Sequence, residues 1–309
     1  NIPINFTLTK FTSYGFLEKR PLVDKVLGKL FQKQFSFPEI EFYFKTAKIL
    51  KKDYNYDLLL TIGAPHHIHW GAAKAKEKSP QKFPRKWIAD CGDPFMNNGR
   101  ANIPQYFAKF EKKFCALCNF ITVPVENAKG GYYPEFKSKI KVMPQGFNFE
   151  INAPAPKVQN TIPQFAYAGI FYPDIRNPSK ILDYLCTVKT PFTFHIYTPF
   201  SQLIENYKNK LGKKIKIHEP LPRKQLLQKL QKMDFVVNVQ NVDAPHSTPS
   251  KLIDYAIVQK PILNLHTESF NPQHIQEFLQ GNYQNQYHVE NLEQYHIQNV
   301  VKKFIQLLK

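Results

Sequence analysis

Glycine is scarce in this chain, at 12 of 309 residues, where ordinary usage is about 7%. Two explanations fit: turns built from asparagine and the 24 prolines, or a glycine-rich segment that lies outside the sequence. Cysteine is scarce too. Cys91, Cys115, Cys118 and Cys186 are too few and too scattered for a disulfide framework, which points to reduced thiols and a cytoplasmic setting. Cys115 and Cys118 form a CxxC within FEKKFCALCNF, but zinc would need a second pair at suitable spacing and none exists. No run approaches the roughly 18 apolar residues of a membrane span, and no basic-apolar-small signal pattern stands at the start. Acidic residues number 24 against 42 Lys and Arg, a net charge of +18. The lysines are spread through several predicted helices and form no single stripe with aromatics, so no nucleic-acid-binding signature is visible. An anionic membrane surface or an anionic substrate explains the charge at least as well.

What is present is an alternation of short β-rich runs and amphipathic helices, repeated in two halves, the pattern of parallel α/β sheets. The first half reads as a helix over 39–52, a buried-type strand over 56–62 and a loop 63–69 leading into a helix over 70–78. A strand at 86–90, a helix at 104–117 and strands at 120–124 and 139–143 follow. Residues 151–163, INAPAPKVQNTIP, carry three prolines and read as a linker. The second half restarts at 165–169 and continues with strands near 192–197, 215–218, 234–240 and 261–265. Its helix at 221–233 sets Leu226, Leu227, Leu230 and Met233 on one face. The last segment repeats Ile297, Val300, Val301, Phe304, Ile305 and Leu308 at helical spacing, a one-sided helix expected to dock.

Two Rossmann-like, doubly wound domains, 1–152 and 153–309, are the expected architecture, with ligands between the carboxyl ends of the two sheets and the last helix crossing back. The loops expected there carry His66, His67, His69, Asp93, Glu126, Arg176, Ser250 and Lys251. Within PSKLIDYAIVQKPILNL, residues 249–265, a helix starts near Ser250, and its first amides are a ready anion site. Lys251 adds a charge in the first turn, and Asp254 lies one helical step from Ser250. An ordinary N-cap with a solvated Lys-Asp pair explains the same residues.

Five segments in order give the chain a resemblance to a known family: YDLLLTIGAPHHIHWG, WIADCGDPF, FITVPVENAKGGYY with IKVMPQGF, FAYAGIFYPDIRNP, and DFVVNVQN with PSKLIDYAIVQKPIL. Together they resemble the retaining glycosyltransferases of GT-B architecture, most of all the bacterial family-4 type. The resemblance implies a nucleotide-diphosphate sugar donor, with no metal and no cofactor. It places donor binding on Arg176, Ser250 and Lys251 at the diphosphate and Asp254 at the ribose, in a position where relatives carry Glu. His246, Ser247 and Thr248 fall in the loop beside the transferred sugar, His246 standing where relatives often have a second Glu. On the acceptor side it implies His66 and His69 near the sugar and Asp93 at the acceptor hydroxyl, with Gly92 where relatives often have Arg. The implied function is transfer of a hexose, with retention, onto a saccharide or lipid-linked acceptor in bacterial surface polysaccharide or lipopolysaccharide synthesis. The implied place is the cytoplasm, at the periphery of the inner membrane, with no nucleic-acid partner. Such first domains usually begin earlier, so about 60–80 residues, one or two βαβ units, are expected to be missing upstream. A GT-B epimerase or phosphorylase, or a non-catalytic basic polyanion-binding protein, are the alternatives.

Overall fold

The computed structural model describes residues 34–51, 56–97, 103–150, 160–240 and 250–309. They form two compact units, one of the described residues up to Pro144 together with Lys303–Lys309, the other of the described residues from Gln145 to Lys302. The linker expected at 151–163 lies mostly outside the described residues.

The first unit opens with helix α1, Ile40–Ile49, followed by β1, Leu58–Gly63, and α2, His67–Lys78. Then come β2, Lys86–Cys91, α3, Ala108–Leu117, β3, Phe120–Val123, and β4, Ile140–Val142. The four strands pair in parallel in the order β1-β2-β3-β4. Successive crossovers in one direction lay α2 and α3 on one face of the sheet, where they pack together over Trp70, Trp87, Phe114 and Ile121. Helix α2 begins at His67, three residues before the expected start, so His67 and His69 belong to its first turn and not to a loop. The strand expected to be fully buried is an edge strand among the described residues. Leu60 and Ile62 on one of its faces are exposed, while Thr61 on the other is buried.

The second unit runs through β5, Gln164–Ala168, α4, Ser179–Thr187, β6, Thr193–Tyr197, α5, Glu205–Leu211, and β7, Ile215–His218. It continues with α6, Arg223–Leu230, β8, Phe235–Val239, α7, Ser250–Ile257, β9, Ile262–Leu265, and α8, Pro272–Leu279; α9, Ile297–Gln306, starts in this unit, and its residues from Lys303 on group with the first. Its parallel sheet has the order β7-β6-β5-β8-β9. The chain therefore builds outward from β5 in one direction and then reverses to add β8 and β9. Phe165 of β5 is stacked between Phe194 and Phe235, each 4.6 Å away, so the central strand is fixed by three aromatic rings. All five residues of β8 are buried, and its one polar member, Asn238, donates to Asn264 Oδ1 at 2.6 Å across the β8-β9 register. Helix α9 is docked along part of its apolar stripe: Val300 is buried and Ile297 and Val300 lie against Gly146, while Val301, Ile305 and Leu308 are exposed.

Candidate functional site

In an open parallel sheet the reversal of strand order leaves a crevice at the carboxyl ends of the two strands that flank it. Here those strands are β5 and β8. The loop after β5 turns at Gly169, whose φ of +142° is strained for any side chain, and a Cβ there would approach the Tyr167 hydroxyl at 3.3 Å and Arg176 Nη1 at 3.8 Å. The loop folds back through reciprocal backbone bonds between Tyr172 and Arg176, 3.3 and 3.1 Å. That brings the Arg176 guanidinium onto the Ile170 carbonyl at 3.0 Å and over the Tyr172 ring.

Helix α7 enters the same crevice. Tyr255 of α7, fully buried, accepts the Ala168 N–H of β5 at 2.9 Å and ties the helix to the strand. One turn earlier, Lys251 lays its ammonium 4.4 Å above the Tyr167 ring. Tyr167 is itself stacked on Phe171 at 4.2 Å. Lys251 Nζ is sealed from solvent and has no hydrogen-bond partner among the described residues. Burial, then the nearby Arg176, drives its pKa well below that of an ordinary lysine. Lys251 thus places an ammonium without a hydrogen-bond partner among the described residues near the first turn of α7, where an anion is favoured.

Asp254 is not a partner of Lys251. Arg223, the first residue of α6, reaches it instead, with Nε at 2.8 Å and Nη2 at 2.7 Å, both on Oδ1. Arg223 also covers the Phe147 ring. Burial raises the Asp254 carboxyl and Arg223 pulls it back down. The solvated Lys-Asp pair considered from the sequence is therefore absent: Lys251 is sealed, and Asp254 pairs elsewhere. His246, Ser247 and Thr248 lie outside the described residues, and of Ser250 only its place at the start of α7 is described. Sequence reasoning missed Arg223 and Tyr167. The signal for Arg223 was its position directly after Leu-Pro at a helix start.

The acceptor-side residues cluster at the carboxyl ends of β1 and β2. Asp93 is exposed, on the loop after β2. His66 Nε2 lies 2.7 Å from the Asp93 backbone oxygen. The same loop is held by Glu111, a fully buried carboxylate in α3 that accepts from Phe95 N at 2.9 Å, Met96 N at 3.4 Å and the Tyr133 hydroxyl at 3.0 Å. Burial raises the Glu111 pKa, and those three donors oppose the rise. His69, expected at the sugar, is instead wholly interior, with Nδ1 2.8 Å from Thr61 Oγ1 and Nε2 3.4 Å from Cys91 Sγ. Of the expected residues, His66, His69 and Asp93 come together here, and Arg176, Lys251 and Asp254 belong to the other unit. Cys115 and Cys118 are buried, and burial pushes the Cys118 thiol up to about 12.

A histidine pair in the second unit sets a pH dependence. His195 Nδ1 and His218 Nε2 are 3.0 Å apart with parallel rings. Burial, then His218, Lys216 and Lys229, lowers the His195 pKa to about 4. Below pH 6.5 the unfolded chain takes up a proton that the folded one refuses, so stability falls as pH drops from about 6.5 toward about 4. The expected loss is roughly 3 kcal/mol. Urea unfolding at a series of pH values checks this, and His195→Phe should make the profile shallower over that window, the buried His66, His67 and His69 adding a loss of the same sign that remains. An equally steep profile in the variant would assign the acid loss elsewhere.

No protein-family model matches this sequence, and a search of curated proteins finds no match. Solved structures do match. The lipopolysaccharide outer core galactosyltransferase WaaB, in its apo form, superimposes with a TM-score of 0.61 at 11% identity, over 87% of this chain and 79% of WaaB. A glycosyltransferase from Rickettsia africae gives 0.61 at 14% identity, over 88% and 81%. Anabaena HepE in complex with UDP gives 0.61 at 10% identity, over 85% and 81%. At these identities the likeness establishes the fold. The chain has the parallel α/β fold of GT-B glycosyltransferase structures, with two Rossmann-like sheets.

Proposed function

We propose that this chain is a glycosyltransferase that binds a nucleotide-diphosphate sugar at the β5-β8 crevice and transfers its hexose, with retention, to a saccharide or lipid-linked acceptor. The observation that carries this reading is the sealed, unpartnered Lys251 ammonium beside Arg176 at the start of α7. A diphosphate would supply a partner to the Lys251 ammonium and to the first amides of the helix, with Arg176 close by. The same groups would stabilise the charge that builds on the leaving diphosphate, the point at which fixed donors lower a barrier most. Support comes from the bound molecules of similar folds: HepE has been solved with UDP-glucose, and a TarM mutant with UDP, α-GlcNAc-glycerol and fondaparinux.

The reaction we infer is front-face attack by the acceptor hydroxyl, with the departing phosphate oxygen taking its proton. Asp93, exposed on a loop pinned by Glu111 and His66, is the residue assigned to the acceptor hydroxyl. His66 acts through that loop as a positioning residue, and His69 supports it from the interior. The family-4 subtype and a place in bacterial surface polysaccharide or lipopolysaccharide synthesis complete the reading. The setting is the cytoplasmic side of the inner membrane, where a net charge of +18 attracts anionic headgroups. No helix among the described residues is long and apolar enough to cross a membrane. Arg176 and Lys251 supply fixed positive charge at the leaving group, so the proposed chemistry runs without a metal or cofactor.

Asp254, with Oδ1 engaged by Arg223, is assigned to the ribose diol. Asp254→Asn is expected to lose more affinity for a ribonucleotide than for its 2′,3′-dideoxy analogue, measured by calorimetry. Equal losses would give Asp254 a purely structural role with Arg223. The reading as a whole is tested by a thermal-shift screen against UDP-, GDP-, ADP- and dTDP-sugars, because a ligand of the folded state alone raises the melting point. A rise with one base family supports it. No rise with any of them, together with steeply salt-dependent DNA binding, would favour a polyanion-binding protein instead.

A further inference from the structure

Three buried donors meet beneath the Asp93 loop. One ring nitrogen of His66, one of His69 and the Cys91 Sγ all lie within 4.8 Å of one another. The His69 Nε2 to Cys91 Sγ distance is 3.4 Å, close to the ~3.5 Å that separates N and S ligands around a tetrahedral ion with bonds of about 2.0 and 2.3 Å. One nitrogen of each ring is already engaged, which leaves His66 Nδ1 and His69 Nε2 to serve as ligands. His66 Nε2 faces the Asp93 carbonyl at 2.7 Å, and His69 Nδ1 faces Thr61 Oγ1 at 2.8 Å. Metal-binding histidines are held in this way, with the distal N–H given to an oxygen so that the near nitrogen keeps its lone pair.

Two further observations point to an occupant. His66 must carry its proton on Nε2 to bond the Asp93 carbonyl, which leaves Nδ1 as a bare lone pair, and Nδ1 is buried with no partner among the described residues. Gly63 lies against the His69 ring, and a Cβ there would strike Nε2, so glycine keeps that nitrogen accessible. Thr61 Oγ1 can accept from His69 while its own proton points to the Ile88 carbonyl at 3.5 Å. The Trp87 indole also donates to Thr61 Oγ1, at 2.8 Å. The Tyr132 hydroxyl sits beside the thiol.

We propose that His66, His69 and Cys91 bind a zinc ion that staples the ends of β1 and β2 beneath the Asp93 loop. A two-histidine, one-thiolate set fills three of the four positions zinc prefers and leaves one for water or another donor. On binding, the Cys91 S–H bond is replaced by a Zn–S bond and the proton leaves to solvent. His66, 8% exposed against 0% for His69 and 1% for Cys91, is the ligand nearest to solvent. The ion's role is to order the loop, and its binding is independent of whether the chain is a glycosyltransferase.

The test is titration of the full-length, reduced, metal-stripped protein with Co²⁺, followed by Zn²⁺. The expected result is a thiolate-to-cobalt charge-transfer band with the intense visible bands of tetrahedral cobalt, both erased by zinc. Cys91→Ser should abolish the charge-transfer band, and His66→Asn should weaken zinc binding by more than about 100-fold, beyond the 10–100-fold cost of losing a group that merely orients a ligand. Cys186→Ser, at the exposed cysteine, should leave the spectrum unchanged. A folded wild-type protein with no thiolate band overturns the proposal, whatever the fate of the Cys91 variant. So does a band that survives Cys91→Ser.

Discussion

Lys251→Ala is expected to weaken nucleoside-diphosphate binding by about 1–3 kcal/mol, or roughly 5- to 150-fold. The reason lies in what surrounds the ammonium. It lies 4.4 Å from the Tyr167 ring without a hydrogen-bond partner among the described residues, and a sealed cation without a hydrogen bond is costly in the free protein. A diphosphate removes that cost on binding, so the variant forfeits both the attraction and the relief. The variant should also be at least as stable as the wild type without ligand, because an unpartnered charge leaves the interior. Affinity for the bare nucleoside should stay unchanged. Calorimetry with a nucleoside and its diphosphate checks all three points. Equal affinity of wild type and a folded Lys251→Ala for the diphosphate would move the phosphate site elsewhere.

Asp93→Asn is expected to lower the transfer rate by about 100-fold or more while leaving donor affinity nearly intact, the signature of a group that acts on the reacting hydroxyl. Donor groups and Asp93 belong to different units, so the substitution leaves the Lys251 crevice as it was. Glu111→Gln provides a contrast. It keeps two acceptor lone pairs but loses the buried charge that holds Phe95, Met96 and Tyr133, and should reduce stability as well as rate. Wild-type turnover in Asp93→Asn would remove the acceptor-side assignment and leave the donor site standing.

Strand succession was legible from the sequence because each run of Val, Ile, Leu and Phe is bounded by turns and separated by a helical period. The reversal that creates the crevice was legible only as part of the doubly wound architecture expected from the alternation pattern, since nothing in β5 or β8 alone records which neighbour each takes. PSKLID announced a helix start, and α7 does begin at Ser250. It did not announce that Lys251 would be sealed, because burial depends on Tyr167 and Phe171, which are supplied by another strand and its loop. Arg223 and Asp254 stand 31 residues apart and Cys91 and His69 22 apart, pairings that only the sheet order brings about. The histidine run was misread for a local reason. The helix takes its first turn directly after His66, three residues before the expected start, which places His69 wholly inside and leaves His66 slightly exposed.

The central claim is that the β5-β8 crevice is a diphosphate site, and it is tested most directly by comparing a nucleoside, its monophosphate and its diphosphate on the wild-type protein by calorimetry. The account predicts that affinity rises at least about 10-fold from nucleoside to diphosphate, the equivalent of one charge-assisted hydrogen bond. It also predicts that Lys251→Ala removes most of that rise. Equal affinity for all three ligands, or a rise that Lys251→Ala leaves untouched, would contradict it.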